Sequence, residues 1–196
     1  MNLNALEKLK TVFAYCHKQA QFYTSWGHVD ILQIAIKEND GTIFFTKENS
    51  NLSSLNNDEV IQDKENASLF NQIFQSRKNI NCIFITRQEY ASQIKAEIPP
   101  ILDDQAQLLG VSIRVAKNEK EILHALKNRF AAILPDGNSI CIGVNYEDAY
   151  VAAQLLEKTS KAFIEAQYAG GAKSINKIEA WLMQKFYQLK YAKQAK

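Results

Sequence analysis

The sequence predicts an α/β protein with one domain, residues 1–196, in which helices cover a substantially antiparallel sheet. Two tight turns support the antiparallel sheet, because Asp40-Gly41 and Pro135-Asp136-Gly137 each separate two short apolar segments. Segments with apolar residues at helical spacing alternate with these hairpins. The composition, 46% apolar and 22% charged, is typical of a globular chain long enough to bury a core.

The first half of the chain begins with an amphipathic helix, because Leu6, Leu9 and Val12 recur at helical spacing and Gly27 permits a turn after it. Further along, β-branched and aromatic residues favour strands. We therefore expect a helix over residues 3–23, a hairpin over 30–37 and 42–46, a short strand at 60–61, a helix over 66–77 and a strand over 80–86.

The second half contains the longest predicted helix, which Asn145 can cap and Gly170-Gly171 can terminate. Before it we expect short helices over 91–94 and 103–109, a strand over 111–116, a helix over 119–127 and a hairpin over 130–134 and 139–143. A last helix, capped by Ser174, is expected to carry the apolar residues Ile178, Trp181, Leu182 and Leu189.

Hydropathy, cysteine usage and charge exclude several functional classes. No segment approaches the roughly 18 consecutive apolar residues of a membrane span, and residues 1–8 lack the pattern of a signal peptide. Three widely spaced cysteines predict buried, reduced thiols, which suits a cytoplasmic protein. A net charge of +2 makes nucleic acid an unfavoured partner, and we interpret the lysines between Lys173 and Lys196 as a solvated helix face.

Generic catalytic motifs are missing from the sequence. His17, His28 and His124 have no second ligand at zinc-binding spacing, and there is neither a Gly-x-Ser-x-Gly elbow nor a phosphate-binding glycine loop. His28 differs from the other two because it follows Gly27 at a turn, where functional loops occur, although an imidazole without a role is the alternative. Generic motifs therefore predict a fold and no reaction.

Several phrases of the sequence match, in order, those of one enzyme family. Ser25-Trp26-Gly27-His28-Val29-Asp30 is similar to a Thr-Trp-Gly-Asn-Val-Ser phrase, and residues 81–87 are similar to a strand that ends in His-Thr-His. Residues 132–143 and the helix after them are similar to a segment with Asn-His-Gly. Over nearly its whole length the chain thus resembles the class II aldolase/adducin family. The resemblance implies a three-layer α/β/α fold with a central, largely antiparallel sheet.

The zinc ligands of the catalytic members are changed in this chain. In those members, which include sugar-phosphate aldolases and epimerases, three histidines of the last two phrases hold the ion; by the resemblance these positions are Ile85, Arg87 and Asp136. Isoleucine has no donor atom, and arginine repels a cation. We therefore expect no metal and no cofactor. Arg87 is expected either to pair with Asp136 or to bind an anion.

Other site positions carry over by the same resemblance. The family's acid/base glutamate falls at Glu65 or Asn66, so no catalytic residue is assigned. Its phosphate-binding loops fall near four further residues, namely Gly27, His28, Thr46 and Ser68. Together with Arg87 and Asp136, these residues are the candidates for holding a small anionic or sugar-phosphate ligand.

Three functional hypotheses follow from these changes. The favoured one is a pseudoenzyme, a binding or assembly module like the non-catalytic head of adducin. The alternative is a sugar-phosphate aldolase or epimerase with altered metal ligands, namely Asp136, Glu65 and His28, in which case zinc or another divalent metal is required. Nucleic-acid or anion binding through the lysine-rich last helix is the least favoured. The resemblance also implies a homo-oligomer, a tetramer in most members, to which aromatic residues of the last helix could contribute, namely Trp181, Phe186, Tyr187 and Tyr191.

Overall fold

The computed structural model describes residues 3–194 and the side chains of residues 4–190; the side chain of Tyr191 lies outside that range. The five helices are α1 (Leu3–Ala20), α2 (Leu69–Ser76), α3 (Ile122–Ala125), α4 (Tyr146–Tyr168) and α5 (Lys177–Gln194). The seven strands are β1 (Val29–Lys37), β2 (Ile43–Thr46), β3 (Val60–Gln62), β4 (Cys82–Gln88), β5 (Arg114–Val115), β6 (Ala131–Ile133) and β7 (Ser139–Gly143).

The strands form one sheet in the order β3-β2-β1-β4-β7-β6-β5. Both predicted hairpins are present, since β1 pairs with β2 and β6 pairs with β7 in antiparallel register. Strand β4 is central and is antiparallel to β1 and β7, whereas β5 and β6 are parallel. The predicted α/β fold with a largely antiparallel sheet is therefore confirmed.

Alternation along β4 shows how the two faces of the sheet are covered. Ile83 and Ile85 belong to a buried cluster that includes residues of α2 and α3. Cys82 and Phe84 point to the other face and join a cluster with residues of α1 and α4. Because successive side chains of a strand point to opposite faces, the sheet is the middle layer of an α/β/α arrangement.

Several predicted elements are shorter in the structure. Helix α1 ends at Ala20 rather than residue 23, and α2 begins at Leu69 because Asn66 has a left-handed backbone (φ 55°) and Ser68 caps the helix. The helix predicted over 119–127 is a 3-10 turn followed by the four residues of α3. The strand predicted over 111–116 contains only Arg114 and Val115, and residues 105–109 form a π-helix.

The last helix begins later than predicted. It starts at Lys177, and its cap is Asn176, whose side-chain oxygen accepts a hydrogen bond from the Ile178 N–H at 2.8 Å. Ser174, the predicted cap, lies upstream of the helix and is exposed. Asn145 caps α4 as predicted, since its side chain accepts from the Asp148 N–H at 2.7 Å.

The predicted burial of the three cysteines is confirmed. All three cysteines are free and buried, namely Cys16, Cys82 and Cys141. Of the helices within residues 3–194, none is both long and apolar enough to cross a membrane.

Candidate functional site

A cavity of about 1200 Å³ opens on the face of the sheet that carries α2 and α3. We call it the main cavity. Its wall combines the ends of β1 and β4, the loop after β2, the start of α2 and the β6–β7 turn; among the lining residues are Gln33, Lys47, Ser68, Ile85, Arg87, Lys120, Asp136 and Asn138.

The three positions that the family resemblance assigns to zinc ligands, Ile85, Arg87 and Asp136, all line the main cavity. Ile85 and Arg87 are two residues apart on β4, so their side chains lie on the same face of the strand. Ile85 is buried within the cluster under α2, whereas Arg87 is exposed. Asp136 reaches the same cavity from the β6–β7 turn. The fold therefore brings these distant positions together.

Arg87 and Asp136 do not form the ion pair that is one of the two expectations for them. The carboxylate of Asp136 instead accepts two hydrogen bonds within its own turn, from the Asn138 backbone N–H at 3.0 Å and the Asn138 Nδ2 at 2.6 Å. An aspartate at a tight turn competes for such local donors, which holds its carboxylate away from a distant partner. The arginine remains free to meet an anion from solvent.

The donor set of the main cavity does not fit a zinc ion. A catalytic zinc site uses three nitrogen, sulfur or carboxylate ligands, and Asp136 alone of the three corresponding positions offers one. Within residues 3–194 the structure places no group of three or more His, Cys, Asp or Glu side chains where they could hold a metal. The alternative ligand set of Asp136, Glu65 and His28 is not assembled either, since only Asp136 lines the main cavity.

Ser68 lines the main cavity, but its hydroxyl is committed to local structure. It accepts from the Asn71 N–H at 3.1 Å as the cap of α2 and donates to the Asp63 carboxylate. Asn66 is also occupied, because its side-chain oxygen accepts from Asn71 Nδ2 at 2.9 Å. Glu65 is exposed in the loop before α2 and does not line the main cavity.

Thr46 lies inside the sheet and does not line the main cavity. Its Oγ1 accepts a hydrogen bond from the Ile34 N–H at 3.1 Å, and its carbonyl accepts from Gln33 Nε2 at 2.9 Å. The pairing of β1 with β2 ends at Ala35 and Phe45, and beyond it the Thr46 hydroxyl satisfies the backbone donor of Ile34. The candidate ligand-binding threonine therefore has a structural role here.

Gly27 lies against a buried carboxylate rather than against the main cavity. Its φ is +125°, and a Cβ atom there would lie 2.5 Å from Glu157 Oε1. Glu157, on α4, accepts hydrogen bonds from the N–H groups of Tyr90 at 2.8 Å and Ala91 at 3.0 Å. Burial raises the pKa of Glu157, and the backbone hydrogen bonds partly offset that shift. No sequence motif marks Glu157, since only the fold brings α4 to the turn after β4.

His28 lines a second, smaller cavity of about 570 Å³ on the side of α1. Its Nε2 lies 2.7 Å from Asp30 Oδ1, and both side chains are largely exposed. His17 and Cys16 line the same cavity, but burial raises the pKa of Cys16 to about 12, which disfavours its nucleophilic thiolate.

Two cationic residues that are not among the candidate ligand-binding residues also line the main cavity. Lys47 follows β2, and Lys120 lies in the 3-10 turn before α3; both are exposed and line the main cavity with Arg87. Glu48 and Glu119 stand next to them in the sequence and also line the cavity. The site is thus charged at its rim and apolar around Ile85.

Comparison with solved structures identifies the architecture as a known class of α/β protein. An L-fuculose 1-phosphate aldolase aligns with a TM-score of 0.79 at 14% identity, over 96% of this chain and 98% of that one. An aldolase II superfamily protein from Pseudomonas syringae gives 0.64 at 12% identity, over 96% and 86%. A sugar-phosphate aldolase from Thermotoga maritima gives 0.58 at 10% identity, over 85% and 97%.

These likenesses show that the chain has the class II aldolase fold, which the order of its sequence phrases predicts. No protein-family model and no curated protein sequence matches the chain. The fold is therefore shared with proteins of low sequence identity.

Proposed function

We propose that this chain is a class II aldolase-fold module that binds a small anionic ligand and assembles with copies of itself, without zinc-dependent aldol chemistry. The observation that carries the proposal is the set Ile85, Arg87 and Asp136, which meet in the main cavity with one metal donor between them. A cation there would face a guanidinium and an apolar floor instead of three ligands.

The anion would be held at Arg87, which has its charge exposed and is not neutralised by Asp136. Planar guanidinium groups bind carboxylates and phosphates through two parallel hydrogen bonds. Lys47 and Lys120 line the same rim, but Glu48 and Glu119 balance their charges, so Arg87 carries the proposal. Ser68 contributes less, because its hydroxyl already caps α2.

The first experiment tests the absence of catalysis. The protein is purified without added metal, supplied with zinc, dialysed, and assayed for cleavage of L-fuculose 1-phosphate, with an active L-fuculose 1-phosphate aldolase as the reference. We expect no cleavage above the blank. Cleavage that depends on the protein and on zinc would overturn the proposal in favour of a lyase with altered ligands.

The second experiment tests anion binding by calorimetric titration with L-fuculose 1-phosphate. We expect Arg87→Gln to weaken binding at least about tenfold, since a charged hydrogen bond contributes roughly 1.5–3 kcal/mol. Lys173→Gln is the matched control, because Lys173 is exposed and does not line the main cavity. Equal affinities of the wild type and Arg87→Gln would show that Arg87 does not bind the anion.

A further inference from the structure

Helix α5 carries several exposed apolar side chains along one of its sides. We call this set the α5 stripe; it consists of Ile178 (71% exposed), Trp181 (49%), Leu182 (42%), Phe186 (69%) and Leu189 (61%). Their spacing of three and four residues places them on one side of the helix. Core packing alone does not account for a Trp181 side chain that is half exposed.

The opposite side of α5 is anchored on the body of the protein. Ala180 and Gln184 are buried, and Gln184 Nε2 donates a hydrogen bond to the Asn128 carbonyl at 3.2 Å. The helix also contacts the π-helix Gln105–Leu109. Because this side holds α5 in place, the stripe faces away from the rest of the described chain.

The stripe is large for the surface of a monomer. Its five side chains together expose roughly 600 Å² of apolar area, which is at the upper end of the largest apolar patches that soluble monomers carry. Two such stripes against each other would bury about 1200 Å² in total, which reaches the lower limit of specific protein–protein interfaces.

Among the described residues, the surface that best complements the α5 stripe is the same stripe on a second copy of the chain. The other large apolar side chains found exposed within residues 4–190 are Phe22, Val144 and Tyr168, which lie on separate elements. A two-fold arrangement requires only one self-complementary surface, so α5 against α5 needs no second patch.

We propose that the α5 stripe is the surface through which two copies of this chain associate. This inference rests on the assembly part of the proposed function and names its surface. Lys185 lies within the span of the stripe, and Lys177 and Lys190 lie at its ends. Their like charges repel across such an interface, so association strengthens as salt screens them.

The test measures oligomeric state by sedimentation velocity over a range of protein concentrations, at low and high salt. We expect the wild type to form dimers or multiples of dimers, and Phe186→Ser with Leu189→Ser to raise the dissociation constant at least about tenfold. The matched control is Phe22→Ser, which removes an equally exposed aromatic ring outside the stripe and should leave the association unchanged. Thermal unfolding of each variant verifies that it is folded.

The outcomes separate the interface from the assembly itself. A monomeric wild type at both salt concentrations contradicts the assembly role and the interface together. If the double variant is still oligomeric, the assembly role stands but the α5 stripe is not the interface. Vesicles that contain phosphatidylglycerol test a competing partner. If the protein is a monomer without vesicles and binds them through the stripe, more weakly as salt rises, then a membrane and not a second copy covers the stripe.

Discussion

Replacement of Gly27 by alanine tests the contact between the turn before β1 and the buried carboxylate of α4. The backbone of Gly27, at φ 125° and ψ −174°, lies in a region that only glycine adopts readily, and forcing alanine into it costs about 1–3 kcal/mol. The added Cβ would also lie 2.5 Å from Glu157 Oε1 and 2.7 Å from Glu157 Cγ. Glu157 cannot retreat freely, because it holds the N–H groups of Tyr90 and Ala91.

The overlap adds roughly 1–3 kcal/mol, so we expect Gly27→Ala to lower the free energy of unfolding by about 2–6 kcal/mol. In a chain of this length that corresponds to a fall in melting temperature of roughly 4–24 °C. The assay is urea unfolding followed by circular dichroism. Gly41→Ala is the matched control, since Gly41 also has a positive φ of 88° but a Cβ there would meet nothing within 4 Å.

A double-mutant cycle separates the overlap from the backbone strain. Glu157→Ala removes the atoms that the new Cβ would meet, so Gly27→Ala should cost less in that background than in the wild type. If Gly27→Ala and Gly41→Ala destabilise the protein to within about 0.5 kcal/mol of each other, or if the cycle is additive, the proposed contact is refuted.

Three further predictions concern buried groups. Thr46→Val should destabilise the fold by about 1–3 kcal/mol in urea unfolding, because it leaves the Ile34 N–H without its acceptor; an effect no larger than that of the exposed Thr24→Val would contradict this. Burial raises the pKa of Glu157 above its ordinary 4.5, so the folded state binds that proton more tightly, and the free energy of unfolding should fall as pH rises from 4.5 through the folded-state pKa. Glu157→Gln should lack that component, and identical pH profiles for the two proteins would count against it. Burial raises the pKa of Cys141 to about 12, so a thiol reagent should label the chain only after unfolding, and rapid labelling of the native protein would contradict the buried placement of Cys16, Cys82 and Cys141.

The elements that sequence reasoning predicts well are those with a local chemical signal. Asp40-Gly41 marks the first hairpin, and Asn145 marks the start of α4, since both act on their own backbone. The predicted helix over 66–77 starts too early because the spacing of apolar residues carries no information about the left-handed backbone of Asn66. Ser68 is a residue type that commonly caps helices, and reading it as the cap would have placed the start of α2 at Leu69.

The site is less predictable, because its geometry depends on contacts between distant segments. The order of phrases predicts that Ile85, Arg87 and Asp136 lie near one another, and all three line the main cavity. It does not reveal that the Thr46 hydroxyl accepts a hydrogen bond from the Ile34 N–H, or that the Asp136 carboxylate accepts hydrogen bonds from Asn138. Such hydrogen bonds are decided by side-chain competition within each turn and strand.

We propose that this chain combines the class II aldolase fold with a cavity that cannot hold a zinc ion. Zinc per chain, measured by elemental analysis after zinc loading and dialysis, tests it most directly in two proteins: the wild type and the variant with Ile85→His, Arg87→His and Asp136→His. We predict far less than one zinc per chain in the wild type and about one in the variant, whose three imidazoles would meet in the main cavity. One zinc per chain in the wild type, or none in a folded variant, would contradict the claim.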